Sequence, residues 1–151
     1  MEYASLREKI RAEKAARMSR YADFQDIVDK AYQAGIEAGK SAMPIPMYVI
    51  DQGIPIDRID DGACGFAWVT VRPANSSFAI WAKKQGLMRP MYGGGVTYWV
   101  SQFGQSVDRK AAFAGAYAKV LRENGIQATA GDRLDWSVLS YSVSIAGTLW
   151  G

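Results

Sequence analysis

Hydrophobic positions along this chain follow a helical period first and a strand period later. Residues 3–40 contain no proline and are rich in Ala, Glu, Lys and Arg, which favours helix. Leu6, Ile10 and Met18 mark a thin apolar line; Tyr21, Phe24, Val28, Ala31 and Gly35 then follow at three- and four-residue spacing. That spacing keeps side chains on one helical face. It predicts a long helix, or two helices with a break near Ser19 or Tyr21. The segment SAMPIPM ends it, because Pro44 and Pro46 lack amide protons and impose extended geometry. A short strand can follow at 47–50. Residues 51–63, with Gly53, Pro55, Asp57, Asp60, Asp61 and Gly62, read as loop.

A compact core is expected from Cys64 onward. GFAWVTVR (65–72) is aromatic and β-branched, apolar on both faces, and predicts a central strand. Pro73 stops it. Asn75 or Ser76 can cap a helix with Phe78, Trp81 and Ala82 on its face, ending at Gly86. Gly93, Gly94 and Gly95 lead into a second strand at 96–103. Asp108 can cap the clearest helix, whose face is Phe113, Tyr117, Val120 and Leu121 and whose end is Gly125. Phe66 or Trp68 is expected to pack against Phe113 and Tyr117. A third strand fits 126–130. At 137–145, Leu139, Tyr141, Val143 and Ile145 alternate with Ser140, Ser142 and Ser144, the period of a strand with one polar face. The predicted fold is α+β: a two-layer sandwich with a mixed, mostly antiparallel sheet and two core helices on one face. An N-terminal helical arm (1–40) precedes a single domain (41–151).

Charge separates these two parts. The net charge is +3. Arg7, Lys9, Arg11, Lys14, Arg17 and Arg20 face only Glu2, Glu8 and Glu13 within residues 1–20, while basic and acidic residues cancel in the remainder. The whole excess therefore sits on the arm, making it a candidate nucleic-acid or partner contact.

Chemistry is bounded by what the composition lacks. The chain has no histidine and one cysteine, Cys64. That excludes a Ser-His-Asp triad, a Cys-His pair, His-ligated zinc and an internal disulfide. The stretch Gly62–Trp68 superficially resembles the surroundings of a papain-type nucleophile, but Ala67 stands where the attacking cysteine would be. The triple glycine runs into a strand rather than a helix, unlike a phosphate loop. Asp60 with Asp61, or Asp132 with Asp135, could hold a hard cation or simply be turn residues. No cofactor is expected. No apolar run approaches the ~20 residues of a membrane span, no secretory signal is legible, and the reading is an intracellular protein.

Candidate interaction residues form three groups: Arg7, Arg11, Lys14, Arg17 and Arg20 on the arm; Gln105, Ser106, Arg109 and Lys110 at the start of the clearest helix; and Ser140, Ser142, Ser144 and Trp150 near the C-terminus. The second group, with Arg72, Lys83, Lys84 and Arg89, could border an aromatic face made by Tyr92, Tyr98 or Trp99. Tyr98 and Trp99 are adjacent on one strand, so at least one of them belongs to the core. The C-terminal strand is a candidate edge for self-association.

The segments GACGFAWVTVRPANSSFAIWAKKQG, YGGGVTYWVSQFGQS, KAAFAGAYAKVLRENGI and RLD, with AGIEAGKSAMPIPM before them, resemble a family of small proteins of tailed bacteriophages over residues 34–135. The resemblance carries no activity onto particular residues. It implies action in the bacterial host cytoplasm or the phage virion. Together these features lead to an expected non-enzymatic interaction protein, a virion component or an accessory protein engaging another macromolecule. The alternatives are nucleic-acid binding through the basic helix, and a small Asp-based metal enzyme.

Overall fold

A computed structural model describes residues 3–135 and the strand Val143–Ile145. The fold is α+β, with the order α1 (Tyr3–Ser41), β1 (Met47–Asp51), β2 (Ile54–Ile59), β3 (Gly65–Val71), α2 (Ser77–Lys84), β4 (Arg89–Pro90), β5 (Val96–Trp99), α3 (Val107–Glu123), β6 (Ala128–Leu134) and β7 (Val143–Ile145). Its strands form two sheets, β4-β5-β3-β6 and β2-β1-β7, and every pairing is antiparallel.

The larger sheet carries the core on one side. Val69 and Val71 of β3, Val96 of β5, Ala114, Tyr117 and Leu121 of α3, and Phe78 and Trp81 of α2 form one buried cluster. Burying each such side chain contributes about 1.5–3 kcal/mol before entropy is subtracted. The second half of α1 joins this cluster through Phe24, Val28 and Ala31. Farther along it narrows: a Cβ on Gly35 would lie 2.8 Å from the Phe113 ring, and one on Gly39 would clash with the edge of the Phe103 ring. Glycine costs a helix interior about 1 kcal/mol relative to Ala; here it permits two aromatic rings of the α3 side to lie against the α1 backbone. Phe113 is the hub, with rings of Tyr32, Tyr98 and Tyr117 at 5.9, 6.1 and 5.8 Å. Tyr98 stacks on Tyr117 at 5.0 Å, and burial pushes both phenol pKa values up.

Several local expectations change. α1 is continuous, with no break at Ser19 or Tyr21. Residues assigned to loop form β2, whose side chains are all exposed, so no buried stripe announced it. Pro55 is tolerated because β2 is an edge strand. The third core strand is Ala128–Leu134 rather than 126–130, and β5 stops at Trp99 rather than at 103. The α3 N-cap is Ser106, whose Oγ accepts from Arg109 N at 3.3 Å. Asp108 lies in the first turn and its Oδ2 accepts from Ile45 N at 2.9 Å, tying down the proline linker. Ser76 caps α2 as expected, accepting from Ala79 N. Phe66 and Trp68 do not pack on Phe113 and Tyr117; Ala67, Val69 and Val71 take that side of β3. Residues 137–142 lie outside the described residues.

Candidate functional site

Alternation along β3 sorts residues by size. Gly65, Ala67, Val69 and Val71 face the helices, and the approach is close enough that a Cβ on Gly65 would lie 2.7 Å from Val107. Phe66, Trp68 and Thr70 therefore face the other way. Strand register extends that face into three rows. Arg89, Thr97, Thr70 and Thr129 align across β4, β5, β3 and β6. Trp99, Trp68 and Gly131 form the second row, and Phe66 and Arg133 the third. No carboxylate belongs to these three rows; Asp132 is on the opposite side of β6, in register with Ala67, while Asp135 follows Arg133 on the same side, its N donating to the Cys64 carbonyl at 2.9 Å.

Aromatic contacts are continuous across the face. Trp68 and Trp99 stack at 5.8 Å with planes 10° apart, and Phe66 lies 5.5 Å from Trp99. A Cβ on Gly131 would lie 2.7 Å from the Trp68 indole, so the missing side chain lets that ring lie across β6. Trp99 remains 49% exposed. Arg133 stands 5.4 Å over the Phe66 ring and the Lys110 ammonium 6.0 Å from it, both within cation–π range. Lys110 is only 7% exposed, so its stem is sheathed by protein. Among the described residues the ion pairs are Arg58–Asp60 and Arg109–Asp61, and neither involves Arg89, Lys110 or Arg133. A groove of about 590 Å³ continues past Trp99, lined by Arg89, Pro90, Thr97 and Leu87. The Thr97 Oγ1 is buried there without a hydrogen-bond partner.

A second surface is the first half of α1. Every residue from 3 to 20 is exposed, a stretch of about 27 Å of helix. At about 100° per residue, Tyr3, Leu6 and Ile10 fall on the face that Tyr21, Val28 and Gly35 use to pack. Arg7, Arg11, Lys14 and Arg17 border or interrupt that same face; Arg20 lies beside it.

The other predicted residues are dispersed. Arg109 acts as a clamp: its Nη1 donates to the carbonyls of Gly39 and Lys40 at 2.8 and 3.1 Å, and its Nε to Asp61 at 3.1 Å. It thereby caps the C-terminus of α1. Ser106 is buried and donates to the Asp61 carbonyl at 2.7 Å; the Gln105 carbonyl accepts from Gly65 N at 3.0 Å. Arg72 donates to the Gly94 carbonyl at 3.4 Å. Lys83 and Lys84 close the last turn of α2, where the helix dipole favours cations. Tyr92 is fully exposed on the β4–β5 turn. Tyr98 is the core member of its pair and Trp99 the outward one. Among the described residues, no group of three or more acidic or thiol side chains is placed to hold a metal ion. Ser144 pairs in register with Tyr48 through β7, while Ser140, Ser142 and Trp150 lie outside the described residues. The sequence reading placed Phe66 or Trp68 in the core and so missed both as members of this face. The alternation of small and large side chains in GFAWVTV was the available signal.

No protein-family model, curated protein or solved structure matches this chain. Among the described residues, no helix is long and apolar enough to cross a membrane.

Proposed function

We propose that this chain is a non-enzymatic interaction protein that engages another protein through the projecting half of α1. On the phage resemblance, that partner belongs to a tailed phage or its bacterial host, in the host cytoplasm or the virion. The supporting observation is the exposure of Tyr3, Leu6, Ile10 and Met18 on a stretch of α1, residues 3–20, in which every residue is exposed. Isolated exposed apolar residues are ordinary, but Tyr3, Leu6 and Ile10 on one face of an exposed helical stretch, with Met18 beside it, form an anchor pattern of the helix-in-groove kind. Interleaving with Arg7, Arg11, Lys14 and Arg17 fits an apolar groove with an acidic rim. A phosphate backbone would use these cations but leave the apolar residues in water, which disfavours nucleic acid as the arm's partner.

The test is affinity capture from infected cells with the wild-type protein and a Leu6→Glu/Ile10→Glu variant, each with its melting curve recorded. The reading expects an acidic protein captured by the wild type and lost by a variant that melts normally. Equal capture by both proteins, or capture abolished by nuclease treatment, would overturn it.

A further inference from the structure

We infer that the open face of the larger sheet is a stacking platform for single-stranded nucleic acid, separate from the protein contact assigned to α1. Three observations converge on this occupant. Phe66, Trp68 and Trp99 form a continuous aromatic surface on the side of the sheet away from the helices, with Trp99 half exposed. Burying these rings in the core would have been the ordinary use of so much apolar area; the sequence places alanine and valine there and turns the rings outward. Exposed arginines stand on opposite borders: Arg89 beside the groove next to Trp99, and Arg133 over the Phe66 ring. Neither arginine belongs to an ion pair with Asp60 or Asp61, and the one carboxylate on this side of β6 among the described residues, Asp135, sits at the end of the ladder, where its amide donates to the Cys64 carbonyl.

Aromatic planes between exposed arginines match a chain of bases linked by phosphates. Bases stack on rings whatever their identity, and guanidinium groups take the phosphates. A sheet face presenting aromatics at this spacing holds two or three unpaired bases. A duplex keeps its bases stacked inside and offers only phosphate, so it would use the cations and forgo the rings. A carbohydrate would also stack on tryptophan, but the rows that hold or flank Trp68 and Trp99 carry only threonines, glycine and arginine beside the rings, with no carboxylate or amide in those rows to accept from sugar hydroxyls.

The experiment is fluorescence anisotropy of a labelled 12-nucleotide oligothymidylate against the full-length protein, from 20 to 200 mM salt. A matching duplex serves as competitor, and each variant is checked by thermal melting. Binding is expected at low salt, and the single strand should compete at least tenfold better than the duplex. Trp99→Ala should weaken binding about tenfold or more, since each stacked base contributes on that scale. Trp99→Phe should restore most of the loss. Arg133→Gln should weaken binding and lower the salt slope by about one. No binding at 20 mM salt would overturn the inference. So would binding that Trp99→Ala leaves unchanged while an Arg11/Lys14/Arg17→Ala variant abolishes it, which would assign the contact to α1. Equal affinity for duplex would also overturn it.

Discussion

Residues 3–20 and 21–41 share one uninterrupted helix, but their apolar faces meet different surroundings. From Tyr21 onward that face carries aromatic and branched residues and then steadily smaller ones, ending in Gly35 and Gly39 against Phe113 and Phe103. Before Tyr21, Lys14 and Arg17 interrupt the stripe, and burying either without a partner would cost more than the neighbouring apolar groups return. Packing therefore stops where charge enters the face, while the helix itself continues. Its Ala, Arg, Lys and Glu favour propagation from a half that packing has already nucleated. Helix formation and core formation are separable in this chain, and only the second identifies which residues are free to bind something else.

The largest effect should come from the hub of the packed half. Phe113→Ala removes a ring that touches α1, β5 and its own helix, and should lower stability by about 3–5 kcal/mol in chemical denaturation. A loss below about 1 kcal/mol would mean that α1 is held elsewhere. Next is the clamp at the C-terminal end of α1. Arg109→Met leaves the Gly39 and Lys40 carbonyls without their donor and should cost about 1–3 kcal/mol; no change in the denaturation midpoint would show that water replaces it.

Alkaline pH probes the same packing. Burial first, then the neighbouring phenol of Tyr98 and the Asp29 charge, raise the Tyr117 pKa above its ordinary value near 10. The unfolded chain therefore releases this proton before the folded one does. Stability from this group is intact below about pH 10 and is lost as pH rises from there toward the folded-state value, by up to about 1.4 kcal/mol per pH unit. Tyr117→Phe should reduce that slope measurably; an unaltered slope between pH 10 and 11.5 would refute the assignment. The smallest effect belongs to the projecting half: deleting residues 2–19 should change stability by less than about 1 kcal/mol, and loss of a cooperative melt would contradict its independence.

What the sequence made legible follows from burial. α3 was readable because Phe113, Tyr117 and Leu121 recur on one face that is buried along its length. The gradient along α1 was readable from the charges that interrupt its stripe. β2 was not, because a wholly exposed strand leaves no alternation between buried and open positions. The orientation of β3 was misjudged because both of its faces are apolar, and hydrophobicity alone does not choose between them. Side-chain volume does: glycine, alanine and valine admit a helix, whereas phenylalanine and tryptophan hold it off. The separation into two sheets depends on pairings between residues far apart in sequence, such as Met47 with Ile145, which no local pattern encodes.

Amide hydrogen exchange along α1 tests the central claim most directly, since it reads both halves of one helix in one sample. Amides from about residue 25 to residue 41 should open only with global unfolding, while those of residues 5–20 should exchange orders of magnitude faster through local fraying. Uniform protection from residue 5 to residue 41 would contradict the account, because it would require the first half of the helix to be packed as firmly as the second.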